Sequence, residues 1–313
     1  MDVLRGALLQ AAQSRQVREL VETTPVSRSV VRRYVPGTEA ADAVNACHDL
    51  VGQGLNTTLD HLGEDTVDIA AARAVRDAYR VVLEALSDAG LTEGGRCEVS
   101  VKLSAIGQAL GADGEKIALE HAHEICAAAA AAGTTVTLDM EDHTTVDSTL
   151  SILRELRRDY PWVGAVLQAY LYRTEGDCVD LAHAGSRVRL CKGAYAEPES
   201  VAYASKKDVD LAYVRCARTL MAGAGYPMLA THDPRLIDIG NALAVQNKRQ
   251  QGTYEFQMLY GIRPEEQRRL ASDGETMRVY VPYGTDWYGY FMRRLAERPA
   301  NVSFFLRSLL TKS

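Results

Sequence analysis

Two adjacent arginines, Arg293 and Arg294, lie in the segment TDWYGYFMRRLAERP at residues 285–299. Thr285 or Asp286 can cap a short helix there, and Pro299 marks its far limit. With 3.6 residues per turn, the two guanidinium groups project about 100° apart. Tyr290 precedes Arg293 by three residues and Glu297 follows Arg294 by three. This pattern has two readings. In one it is a solvated face whose Arg–Glu pairs contribute about 0.2–0.5 kcal/mol each. In the other it is a carboxylate clamp, because guanidinium forks bind carboxylates bidentately. Spacing alone leaves both open.

Other reactive side chains cluster at or just beyond the ends of β-branched runs: Glu64, Lys102, Asp139 with Glu141 and His143, Gln168, Arg189 with Lys192, Thr231 with His232, and Tyr280. A polar residue in one such run is as often merely hydrogen-bonded or solvated. Many runs ending this way point to a shared mouth. Several chemistries drop out. GQGLNT at 52–57 lacks the third glycine of a dinucleotide fingerprint and precedes a strand instead of following one. No GxxxxGK[ST], GxSxG or HExxH motif occurs. A metallohydrolase could use Asp139, Glu141, His143 and His232, but Lys102, Arg189, Lys192, Arg293 and Arg294 would crowd a dication, so no metal is expected. A Schiff-base aldolase on Lys102 or Lys192 and a carboxylate-binding module without catalysis stay as rivals, although the surplus of arginine suits an anionic ligand better.

The elements that must position these groups follow from the pattern of the chain. Of 313 residues, 47% are hydrophobic and 24% charged, enough for a large core, and the net charge of −6 excludes a generally basic, nucleic-acid-tracking protein. No apolar run approaches the roughly 20 residues that cross a bilayer. MDVLRGALLQAAQSR lacks the apolar block of a signal peptide, which predicts a cytoplasmic protein. The six cysteines form no CxxC pair and read as reduced thiols, mostly buried. Eight candidate strands recur, at 57–62, 98–103, 135–140, 164–170, 187–192, 227–232, 254–259 and 277–282, separated by segments with apolar residues at three- and four-residue spacing. The alanine-rich run at 127–133 reads as a helix end stopped by Gly133. The expected fold is an α/β (βα)₈ barrel over residues 56–313, preceded by a mainly helical addition at 1–55 with RSVVRRYV as an extended piece.

The blocks SVKLSAIG, TLDMEDHTTVD, VLQAYLYRTEGD, VRLCKGAY, LATHDPR, YEFQMLYGIRPEEQRRLA and RVYVPYGTDWYGYFMRRLAERPAN occur in order at residues 100–301, within a likeness that runs from about residue 30 to the C-terminus. Through them the chain resembles the proline dehydrogenases, in particular the short monofunctional bacterial type. The resemblance implies a distorted (βα)₈ TIM-type barrel whose last helix lies over the mouth. It implies non-covalent FAD held by Gln168, Arg189, Lys192, Gly193, Thr231, His232 and Glu297, with Lys206 a looser match. By the same resemblance Lys102, Arg293 and Arg294 hold the carboxylate of L-proline, while Tyr195, Leu259, Tyr280 and Tyr290 pack near its ring. Asp139 and Glu64 would pair with Arg293 and Arg294 respectively. The implied reaction is hydride transfer from proline C5 to the flavin N5, giving Δ¹-pyrroline-5-carboxylate. The reduced flavin would pass electrons to a quinone, with shallow peripheral contact at the inner face of the membrane and an aldehyde dehydrogenase acting on the product. No residue stands out as acceptor of the amine proton, and Ala196 departs from the aromatic residue that the bifunctional relatives carry after the tyrosine of KGAY.

Overall fold

A computed structural model describes residues 31–297, with side chains through Arg294. Helix α1 (Ala40–Val51) opens with a reciprocal capping box between Glu39 and Asp42. It leads into β1 (Asn56–His61) and α2 (Ile69–Asp88), the latter capped by the Asp68 carboxylate on the Ala71 amide at 2.8 Å. The chain then alternates β2 (Cys97–Val101), α3 (Gly114–Ala131), β3 (Val136–Leu138), α4 (Val146–Asp159), β4 (Gly164–Gln168) and α5 (Thr174–Leu181). The second half follows with β5 (Arg187–Cys191), α6 (Lys206–Ala222), β6 (Tyr226–Ala230), α7 (Pro234–Gln246), β7 (Glu255–Leu259), α8 (Pro264–Ser272), β8 (Met277–Tyr283) and α9 (Trp287–Glu297). The strands pair in sequence order, all parallel, and β8 closes onto β1 from Asn56↔Arg278 to His61↔Tyr283. The expected barrel is therefore present, and the described part of residues 1–55 adds helix α1.

Strand ends differ from the sequence reading by up to two residues. β3 is shortest because its ladder to β4 holds only at Thr137 and Leu138, after which Asp139 and Met140 turn into the mouth. Residues 31–35 of RSVVRRYV form a helical turn, with the Tyr34 and Val35 amides donating to the Val31 carbonyl at 2.8 and 2.9 Å, instead of an extended piece. Gly133, at φ 70°, terminates the alanine-rich helix as expected.

The outer helices bury apolar stripes, such as Tyr79, Val82, Leu83 and Leu86 of α2, against the strands. The barrel interior departs from the usual filling of branched aliphatics. Arg187 meets Glu98 at 2.6 Å, and Arg278 meets Glu255 at 2.8 Å and Glu98 at 3.7 Å. Burial works against ionisation of Glu98, but Arg187 and Arg278 outweigh it and hold the carboxyl down to about 2. A second apolar cluster fastens α9 across the barrel: Val31, Tyr34 and Val35 pack with Leu62, Ile262, Tyr288 and the fully buried Phe291. Gly261 admits this N-terminal segment, since a Cβ there would lie 1.6 Å from the Arg33 carbonyl oxygen.

Glu98→Gln should lower the free energy of unfolding by about 3–5 kcal/mol, because two buried guanidinium groups lose an anion. The folded pKa of Glu98 lies below its unfolded value, so its contribution is complete above about pH 4.5 and disappears as pH falls towards about 2. Urea titrations across that window should show the wild type converging on the variant.

Candidate active site

A cavity of about 470 Å³ is lined by residues at the C-terminal ends of all eight strands and by Tyr290, Arg293 and Arg294 of α9. Strand alternation explains the selection: Glu255, Gln257 and Leu259 share one face of β7, just as Arg187, Arg189 and Cys191 share one face of β5. The wall carries five cationic side chains, Lys102, Arg189, Lys192, Arg293 and Arg294, against four carboxylates, Asp60, Glu64, Asp139 and Asp233. In a chain of net charge −6, this local balance favours an anionic ligand.

Arg189 is the buried centre of the wall. Its Nη1 donates to Asp139 Oδ1 at 2.7 Å and to Ser100 Oγ at 2.9 Å, and its Nε donates to Gln257 Oε1 at 2.6 Å. Asp139 also accepts from the Tyr280 hydroxyl at 2.7 Å, and the guanidinium lies 5.3 Å from the Tyr280 ring centroid. Two buried polar atoms here have no hydrogen-bond partner among the described residues, Arg189 Nη2 and Gln168 Oε1. A buried donor and a buried acceptor left open suit a polar ligand edge that offers both complements.

Lys102, at the end of β2, donates to Asp60 Oδ2 at 2.6 Å. Burial opposes its charge, but Asp60, with Asp139 and Glu64 behind it, outweighs burial and raises the lysine's pKa above the ordinary value. That direction is the opposite of what a Schiff-base lysine needs. Burial, reinforced by Glu64 and Glu141 and partly offset by Arg293, pushes the Tyr195 phenol up. Burial and Asp139 do the same to Tyr280, so both tyrosines line the wall as neutral phenols.

Of the residues singled out from sequence, Glu64, Lys102, Asp139, Gln168, Arg189, Lys192, Gly193, Tyr195, Thr231, His232, Leu259, Tyr280, Tyr290, Arg293 and Arg294 all border this cavity. Gly193 sits at φ 113° with the Tyr170 ring 2.3 Å from where a Cβ would be, so only glycine brings the backbone this close. His232 Nε2 accepts from the Leu259 amide at 3.0 Å, which assigns the proton of the neutral ring to Nδ1. Lys192 reaches Asp210 at 2.6 Å and Asp233 at 3.5 Å. Lys206 shares those two carboxylates from the first turn of α6, and its exposed side chain stays off the wall. The backbone of Glu297 ends α9, but its side chain lies outside the described residues. Ala196 is exposed.

The acid–arginine pairing differs from expectation. Glu64 pairs with Arg293 at 3.1 Å and not with Arg294, while Asp139 is committed to Arg189 and not to Arg293. The reason is depth: Asp139 emerges from β3 facing inward onto β5, whereas Glu64 stands on the β1–α2 loop beside the partly exposed Arg293. The Arg294 guanidinium lies 5.1 Å from the Tyr290 ring centroid. Three polar wall residues escaped the sequence reading, Asp60, Asp233 and Gln257. Period-two alternation back from Leu259 would have found Gln257, and alternation along TTLDHL would have turned Asp60 inward with Thr58. Among the described residues no group of three or more His, Cys, Asp or Glu side chains could hold a metal ion. His143 instead pairs with Glu197.

Asp139→Ala should destabilise the fold by about 3–5 kcal/mol in equilibrium unfolding, since it strands the buried Arg189. The doubly altered Asp139→Ala/Arg189→Met should recover part of that loss.

Comparison with known proteins agrees with this geometry. The proline dehydrogenase family model matches residues 43–307. The chain is 37% identical over 310 residues to proline dehydrogenase 1 of Bacillus subtilis subsp. natto, covering 99% of this chain and 100% of that protein. It is 39% identical over 308 residues to the proline dehydrogenase of Deinococcus radiodurans, covering 98% and 97%. Among solved structures, proline utilization A from Bdellovibrio bacteriovorus, inactivated by N-propargylglycine, superposes with a TM-score of 0.79 at 25% identity over 87% of this chain. The chain spans 33% of that longer polypeptide. The chain belongs to the proline dehydrogenase family and is an oxidoreductase with proline dehydrogenase activity.

Proposed function

We propose that the barrel oxidises L-proline to Δ¹-pyrroline-5-carboxylate, with non-covalently held FAD as hydride acceptor and a quinone as the terminal electron acceptor. The observation that carries this reading is the meeting, in one cavity, of Lys102, Arg293 and Arg294 with the open hydrogen-bonding atoms of Arg189 and Gln168. Removing hydride from the carbon beside an amine needs an electron sink that no amino-acid side chain offers, and FAD supplies it. Arg189 and Gln168, with Lys192, Gly193, Thr231 and His232, would hold the cofactor. Glu297 would share that task, as would Lys206 by its looser match.

Lys102, Arg293 and Arg294 bind the substrate carboxylate. Lys102 acts as a fixed cation in this scheme, not as a base, because Asp60 keeps its Nζ protonated. Tyr195, Leu259, Tyr280 and Tyr290 pack against the ring, exclude water and restrict its orientation, so binding energy is spent on alignment. Asp139 holds the Tyr280 hydroxyl and the Arg189 guanidinium in register, and Glu64 orients Arg293.

Residues 56–313 would serve as the catalytic barrel, with 1–55 as an addition whose residues 31–35 help seat α9. Among the described residues no helix is long and apolar enough to cross a membrane. In this reading the quinone is met by shallow peripheral contact at the inner face of the membrane, and an aldehyde dehydrogenase would consume the product.

Anaerobic addition of L-proline to the flavin-loaded protein should bleach the flavin absorbance, and an unchanged spectrum would overturn the proposal. Replacing Arg293 or Arg294 by Met removes a charged hydrogen bond and should raise the KM for L-proline roughly ten- to a hundredfold, with flavin content retained. An unchanged KM in both variants would return α9 to a merely solvated face.

A further inference from the structure

Ser104 and Glu141 take no part in the cavity wall, yet both are buried, and Ser104 is bonded directly to the loop that carries Glu64. The Ser104 amide donates to Glu141 Oε1 at 3.0 Å, and its hydroxyl donates to Glu141 Oε2 at 2.5 Å. On its other side the same hydroxyl accepts from the Asp65 amide at 3.0 Å. The Ser104 carbonyl accepts from the Thr66 amide at 3.2 Å and from the Thr66 hydroxyl at 3.0 Å. Every polar group of Ser104 is thus used: one side is anchored to the end of β3, the other grips the β1–α2 loop. Asp65 is held at φ 50°, a left-handed conformation that a non-glycine residue keeps only when its surroundings impose it. The residue before it is Glu64, whose carboxylate meets Arg293 at 3.1 Å.

We infer that Ser104 and Glu141 are positioning residues for substrate capture, fixing the β1–α2 loop so that Glu64 reaches Arg293 and presents it to the substrate carboxylate. The path runs Glu141, Ser104, Asp65 and Thr66, Glu64, Arg293, and each link but the peptide bond between Asp65 and Glu64 is a hydrogen bond or ion pair. Glu141 is suited to the anchoring end because it lies in the interior with both oxygens occupied by one residue, so it has no competing orientation. A carboxylate that served only to fill space would not need both serine donors.

The inference rests on Arg293 holding the substrate carboxylate, and the experiment separates the two. Ser104→Ala, Ser104→Thr and Thr66→Val are made in the full-length, flavin-loaded protein, each alone and in a Glu64→Ala background, with Arg293→Met measured in parallel. The readouts are KM and kcat for L-proline and the dissociation constant of a non-oxidisable cyclic carboxylate that competes with it. Ser104→Ala should raise both KM and that dissociation constant roughly fivefold while kcat stays within about twofold. Ser104→Thr, which keeps the hydroxyl, should largely restore them, and in the Glu64→Ala background Ser104→Ala should add nothing. Thr66→Val leaves the buried serine intact, so the same outcome there supports the relay even if Ser104→Ala fails to fold. An effect of equal size with and without Glu64 overturns the inference, because Ser104 would then act through Lys102, two residues before it. An unchanged KM in the single variants also overturns it. An unchanged KM in Arg293→Met sinks the carboxylate-clamp reading instead.

Discussion

An arginine inside a barrel must be neutralised where it stands, because removing a guanidinium from water is tolerable only beside an anion or a full set of acceptors. This chain places Arg187, Arg189 and Arg278 inside its barrel, and most of the interior is arranged around that constraint. Glu98 and Glu255 answer the two lower arginines, and Asp139, Ser100 and Gln257 answer Arg189. A floor of buried ion pairs results, in which Arg187 Nη1 and Arg189 Nη2 are left without a hydrogen-bond partner among the described residues. Because Asp139 also takes the Tyr280 hydroxyl, the floor and the aromatic wall are tied together.

The roof of the cavity obeys a different rule. Helix α9 is held by apolar contacts, with Phe291 buried against Tyr34 and the helical turn at residues 31–35. Its arginines are therefore delivered by packing and only then aimed by electrostatics. Arg293 keeps partial access to solvent and a partner, Glu64, on a loop that is itself bonded to buried groups. The contrast between a floor tied by buried ion pairs and a roof held by an N-terminal segment and the Glu64–Arg293 pair suits a site that must admit a ligand and release a product. Lys102 bridges the two levels: Asp60 fixes it at barrel depth while it borders the same cavity as the roof arginines.

The amino-acid sequence by itself determined the architecture and nearly all of the site's membership. Period-two runs alternating with helical stretches specify a parallel barrel, because each pattern buries its apolar face in only one way. Polar residues at strand ends then converge on one mouth, and that is why nine residues chosen on that ground, from Glu64 and Lys102 to His232 and Tyr280, border one cavity, whereas Glu141 and His143 do not. Local chemistry also set Gly133 as a helix stop. Only the tertiary structure decided who pairs with whom. Asp139 serves Arg189 and Glu64 serves Arg293 because strand stagger and loop height set the depth of each carboxylate, and neither is written into residue type or spacing. Asp60 and Gln257 look in isolation like ordinary polar strand residues, and they acquire roles only when β1 closes on β2 and β8 and when β7 stands one strand removed from β5 around the barrel. Pairing of buried charges is a matter of a few ångströms between residues far apart in sequence, so it is settled by the closed barrel and not by any local segment.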